Sequence, residues 1–165
     1  MMNQLTSTQP LTVKETDKAI QASLPSSVIS KVTERVDKEY NLQGYRIGGL
    51  TKDEIDVAIQ VINKYCEPLP PRDLDELLGV LYVKTKQAKQ DQSDLKAAIQ
   101  IYARGLSEYP ADIVREVLTK WGDNNIWWPS WSELKADIAW RNKRGMMRNA
   151  LVARAATMAL AEYGY

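Results

Sequence analysis

Along most of this chain the apolar residues recur at spacings of three and four, in stretches bounded by proline, glycine and cap-forming residues. A helix brings residues three and four apart onto one face, whereas a half-buried strand needs alternation at period two. No segment alternates at period two with valine, isoleucine and threonine enriched. The pattern therefore predicts an all-α chain with no significant sheet. The expected architecture is a small helical bundle of five or six helices, with a flexible N-terminus and a long C-terminal helix.

The punctuation predicts where these helices begin and end. In Ser27–Tyr40, Val28, Val32, Val36 and Tyr40 recur every fourth residue, which reads as a helix. Residues 41–49 hold three glycines and break the pattern. They divide an N-terminal extension over 1–49, a tail plus one or two helices, from a helical domain over 50–165. Thr51 followed by Glu54 is a capping box, and Leu50 and Ile55 stand where a hydrophobic staple packs. The stripe Ile55, Ala58, Ile59, Ile62 follows, and Pro68-Leu69-Pro70-Pro71 forms a rigid connector. Pro71 suits the first position of the next helix, and Asp73, Asp75 and Glu76 suit its positive end. Leu74, Leu77, Leu78 and Leu81 make its buried face. Ser93 suits the cap of a helix carrying Leu95, Ile99, Tyr102 and Leu106. Beyond Tyr109-Pro110, the residues Ile113, Val114, Val117, Leu118 and Trp121 share a face, with Gly122 as a stop. Ser130 and Glu133 form a second capping box, and the last helix runs from Trp131 nearly to Tyr163, with a weak point at Gly145. The expected core is Ile55, Ile59, Ile62, Leu74, Leu78, Leu81, Ile99, Tyr102, Val114, Val117 and Leu134.

Composition narrows the function classes. The 165 residues contain no histidine and a single cysteine. That removes the commonest general base, the commonest metal ligand and every internal disulfide. No glycine-rich phosphate loop is present: Gly44…Gly48-Gly49 lacks a following Lys-Ser/Thr. Cys66 reads as a small buried hydrophobe. These features point to a protein that is not an enzyme and takes no cofactor or metal. No apolar run approaches the length of a membrane span and no secretory signal opens the chain, so a cytoplasmic protein with no membrane partner is expected.

Charge is uneven beneath a net of +1. Residues 51–80 carry three basic and seven acidic groups, a net of −4, and residues 138–165 carry five basic and one acidic, a net of +4. Two clusters follow as candidate partner-binding residues. One is the tryptophan group Trp127, Trp128, Trp131 and Trp140. It is either a corner in which the turn packs its indoles onto the helices it joins, or an anchor for a partner. The other is Arg141, Lys143, Arg144, Met146, Met147, Arg148 and Leu151. This segment is a solvated helix face, a partner-binding helix using adaptable methionines, or a contact for phosphates.

Between residues 95 and 140, Tyr102, Leu106, Tyr109-Pro110, Val114, Val117, Trp121, Trp128-Pro129-Ser130 and Glu133-Leu134 together resemble the phage helicase loader/inhibitor family. The resemblance covers about a quarter of the chain. It implies a non-enzymatic, mostly helical DNA replication accessory protein of bacteriophage type. Such a protein binds a replicative helicase and loads or inhibits it in the host cytoplasm. In that family the part beyond the helical domain engages the helicase, which by position is the basic segment from Trp140 onward. Nucleic acid is a secondary partner in this reading. Two alternatives remain from the residues themselves. One is a small helical inhibitor of a host protein complex, such as an anti-defence factor. The other is a helical DNA-binding regulator built on Trp121–Leu134, against which Glu133 and Asp137 stand where phosphates would be met.

Overall fold

The computed structural model describes residues 10–87 and 92–164. Of the flexible tail expected as far as Thr12, residues 1–9 lie outside the described residues, as does the cap expected from the Ser93 side chain, while Thr12 itself caps the first helix. Among the described residues the chain forms eight helices and one two-stranded sheet: α1 (Val13–Ser23), α2 (Ser26–Lys31), β1 (Val32–Val36), β2 (Leu42–Ile47), α3 (Lys52–Asn63), α4 (Pro71–Lys84), α5 (Gln92–Leu106), α6 (Ala111–Asn124), α7 (Trp131–Arg141) and α8 (Lys143–Glu162). The fold is thus mainly helical, with eight helices where five or six were expected.

The hairpin corrects the expectation of no sheet. The helix read over Ser27–Tyr40 stops at Lys31, and the chain continues as β1. A spacing of four is even, so Val28, Val32, Val36 and Tyr40 share a face on a strand as well as on a helix. The turn residues decide between the two. The Asp37 carboxylate accepts from the backbone N–H groups of Glu39 and Asn41 at 2.9 and 2.8 Å. Tyr40 sits at φ 64°, in the left-handed region that a continuing helix never visits. β1 and β2 pair antiparallel from Val32↔Ile47 to Arg35↔Gly44, with an irregularity between Arg35 and Val36. Most of the stretch read as a break is β2, which contains Gly44, ends before Gly48 and Gly49, and lies against α8.

The remaining elements follow their local signals. Both capping boxes form, Thr51 with Glu54 and Ser130 with Glu133. Leu50 and Ile55 lie in one cluster on either side of the first box. Pro71 opens α4, whose Leu74, Leu78 and Leu81 are buried. α6 runs two residues past Gly122, to Asn124. Of the expected core, Ile59, Ile99 and Tyr102 are half-buried against it, and the other eight residues are buried.

The C-terminal helix divides. The break falls at Asn142, three residues before Gly145, and separates α7 from α8. The Asn142 backbone leaves the helical region at φ −87°, ψ 57°. Its side-chain oxygen accepts from the Gly145 N–H at 3.1 Å, which caps α8. A Cβ on Gly145 would meet that Asn142 side chain at 2.5–2.8 Å, so glycine is what lets the cap close. The weak point is therefore a restart.

Two apolar clusters result. The first gathers α4, α6 and α7 around Leu78, Ile113, Val117, Leu134 and Ile138. The second gathers Ile20, Val28, Ile55, Ala58, Ile62 and Leu151 from α1, α2, α3 and α8. Helix α1 belongs to both, through Val13 in the first and Ile20 in the second. The α7–α8 elbow likewise passes from one to the other, carrying Ile138 and Leu151.

Candidate functional site

The seam between the two clusters is closed by one buried cation. Arg144, 2% exposed, stands on the first turn of α8. Its Nη1 donates to the Tyr65 carbonyl at 2.8 Å and to Asp112 Oδ1 at 2.9 Å. Its Nη2 donates to Asp112 Oδ2 at 2.6 Å and to Asp17 Oδ1 at 3.1 Å. The two-pronged contact with Asp112 is the geometry in which arginine outperforms lysine. One guanidinium thus ties α8 to α6, to α1 and to the end of α3. Burial raises the Asp17 carboxyl above its ordinary value, and the charge of Arg144 only partly opposes that effect.

Arg144 was expected among the partner-binding residues, and in the structure it is instead committed to internal carboxylates. Leu151 is fully buried in the second cluster. Neither is exposed. Arg148 is half-buried and donates to the side chain of Asn63, the last residue of α3, at 2.6 Å. Met146 is half-buried.

The tryptophans separate into two sites. Trp128 and Trp131 both lie against Tyr102, with ring centroids 5.5 Å apart in each pair. The Tyr102 hydroxyl donates to the Pro129 carbonyl at 2.8 Å. The turn is fastened from its other side by Lys86, whose N–H donates to Ile126 O at 2.7 Å and whose carbonyl accepts from the Trp128 N–H at 2.9 Å. Trp121 Nε1 donates to the Trp127 carbonyl at 3.0 Å, while the Trp127 ring itself is exposed. This corner is a packed joint between α5, α6 and α7.

Trp140 stands at the other end of α7 and is 63% exposed. It is nonetheless held. Its Nε1 donates to Asp137 Oδ1 at 3.0 Å, and the Arg141 guanidinium lies 4.5 Å from its ring centroid. Arg141 is fixed in turn by Glu116 at 3.1 Å and by Asp137. The indole forms part of the wall of two depressions. One, between α6 and α7, is lined by Trp121, Asn125, Glu133 and Asp137. The other is a cleft of about 590 Å³ between α1, the hairpin, α6 and the α7–α8 elbow. Of the eleven residues singled out in the sequence, this cleft brings together Trp140, Arg141, Lys143, Arg144 and Met147.

The opposite wall was not legible. It consists of Val13, Lys14, Asp17 and Lys18 of α1, with Glu34 and Tyr45 of the hairpin. These residues lie roughly a hundred positions from the elbow, in the stretch read as an extension. The one local signal is the i, i+4 pair Lys14 and Lys18, which places two cations on one face of α1. Burial, with the charges of Glu34 and Asp17 behind it, pushes the Tyr45 phenol up to about 12, so it remains a neutral hydrogen-bonding group.

Among the described residues no three His, Cys, Asp or Glu side chains are grouped to hold a metal ion, and no helix is long and apolar enough to cross a membrane. Cys66 is half-buried, and burial raises its thiol. Compared with known proteins, the chain matches no family model, no curated protein and no solved structure.

Proposed function

We propose that this chain is a non-enzymatic DNA replication accessory protein of phage type, which binds a replicative helicase in the cytoplasm and loads or inhibits it. Trp140 carries the reading. An exposed indole held by a hydrogen bond and a stacked guanidinium is already ordered before any partner arrives, which lowers the entropy cost of association. Tryptophan and arginine are also the residue types that most often dominate binding energy at protein interfaces. The resemblance over residues 95–140 supplies the class of partner.

A protein that acts without a bond-making group does so by differential binding. It favours one conformation of its partner and is displaced when another contact competes. The test is sedimentation of the chain with the hexameric replicative helicase encoded by the same genome or its host. A complex is expected with the parent, weakened at least about tenfold by Trp140→Ala, the size of effect that truncating an interface anchor has. No complex with the parent sinks the helicase reading. An unchanged complex with the variant sinks Trp140 as the anchor.

A further inference from the structure

The cleft beside Trp140 has a chemistry of its own. Six cations line it, Lys14, Lys18, Lys120, Arg141, Lys143 and Arg144, against the three carboxylates Asp17, Glu34 and Glu116. The excess is not spread evenly. Arg144 is committed to Asp17 and Asp112, and Arg141 to Glu116 and Asp137. Lys120 lies 3.6 Å from Glu116. Among the described residues Lys14, Lys18 and Lys143 enter no ion pair, and all three are exposed. The lining also has an apolar part: Val13, Ile20 and Met147 reach the cleft from the two clusters.

We infer that this cleft binds an acidic peptide segment of a protein partner, with an aliphatic or aromatic side chain laid on Val13, Ile20 and Met147 and carboxylates facing Lys14, Lys18 and Lys143. The inference rests on the accessory-protein reading above and names the chemistry of the partner segment. Charge complementarity selects this occupant. The chain's own first ten residues contain no aspartate or glutamate, so they cannot supply the missing carboxylates. A nucleic-acid strand fits less well. Its continuous phosphates would face Asp17, Glu34 and Glu116 in the same walls, and the apolar part of the lining gives a phosphate nothing. A peptide can place its charges at the lysines and an apolar side chain on the apolar part. The volume of about 590 Å³ suits a few side chains rather than a whole helix face.

The test measures fluorescence anisotropy with a short fluorescein-labelled peptide carrying four glutamates around one leucine and one tryptophan. Its control has glutamine in place of every glutamate, and a labelled oligothymidylate is the third probe. The acidic peptide should bind the parent saturably at low salt and weaken as salt is raised, because exposed charges are screened. Binding should fall at least about tenfold with the glutamine control and with the triple variant Lys14→Glu, Lys18→Glu, Lys143→Glu. A melting curve matching the parent checks that the triple variant folds, and the glutamine control decides the matter if it does not. Three results overturn the inference: no saturable binding of the acidic peptide up to millimolar concentration, equal binding of the two peptides, or tighter binding of the oligothymidylate. The helicase complex, measured on the same triple variant, separates the two proposals. A helicase complex unaffected by the lysine reversals, with no peptide binding, removes the cleft and leaves the helicase reading. Peptide binding as expected with no helicase complex removes the helicase and leaves the cleft.

Discussion

At the start of α7, Trp128 and Trp131 lie with ring centroids 5.5 Å from Tyr102, and the turn is fastened by the Tyr102 hydroxyl on one side and by the Lys86 backbone on the other. At its end, Trp140 is 63% exposed and touches chiefly its own helix, through Asp137 and Arg141. The two ends place the same side chain in opposite surroundings, and the difference lies in what covers them. Helix α5 and the Lys86 segment close over the first end. At the second, the chain turns away at Asn142, and the covering is left to α1 and the hairpin, which stop short and leave a cleft. Indole density in the sequence thus marks an aromatic cluster without saying which of its members is structural.

The strongest way to break this contrast is to show that the elbow is not anchored. Arg144→Ala removes the cation that joins α1, α6 and α8 and leaves Asp112 and Asp17 without it. It should cost about 3–5 kcal/mol in urea unfolding, as breaking a buried ion pair from one side does. A loss under about 1 kcal/mol would mean that the second end is held by the apolar contacts alone.

At the first end, Trp128→Ala should cost about 3 kcal/mol, the lower part of the range for large aromatic truncations, because the ring is only half-buried. A variant that melts like the parent but no longer binds its partner would move Trp128 to the functional side. Gly105→Ala probes the same corner from beneath. Its added methyl would overlap the Trp131 ring, and overpacking of this kind costs about 1–3 kcal/mol. Trp140→Ala, by contrast, should stay within about 0.5 kcal/mol of the parent, as surface substitutions do. A loss comparable to Trp128→Ala would erase the distinction between the two ends.

The smallest effect is one of slope. Burial holds the Asp17 carboxyl above its ordinary value of 3.8 despite Arg144. The folded chain therefore takes up a proton there at a higher pH than the unfolded chain. Stability from this group is present in full below the unfolded value and is lost as pH rises through the folded one. The Asp17→Asn variant does not titrate at that position. Its stability relative to the parent should rise between about pH 4 and neutrality in paired urea melts, the opposite of what a carboxylate stabilised in its charged form would give.

The candidate site was half legible. Trp140, Arg141, Lys143 and Met147 stood out as an aromatic, basic and methionine-containing run, and they do share a cleft. Lys14, Lys18 and Tyr45 carried no comparable signal, because their role depends on α1 and β2 arriving beside α8. Arg144 reads in the sequence as one of five basic residues in a modest patch. Only the presence of Asp17, 127 positions away, and Asp112, 32 positions away, makes it an internal tie rather than a surface charge.

What the sequence determined alone were features closed within a few residues: the capping boxes at Thr51 and Ser130, the proline start of α4, and the apolar stripes of α3, α4 and α6. Each depends on contacts between residues three or four apart, so the local order of side chains is sufficient. The tertiary structure decided the rest. A four-residue spacing serves helix and strand equally, so Val32 and Val36 took their conformation from the Asp37–Tyr40 turn and pairing with β2. A restart at Asn142 and a buried Arg144 gain only when the second cluster is there to receive α8, because a guanidinium leaves water favourably only where its partners are already in place.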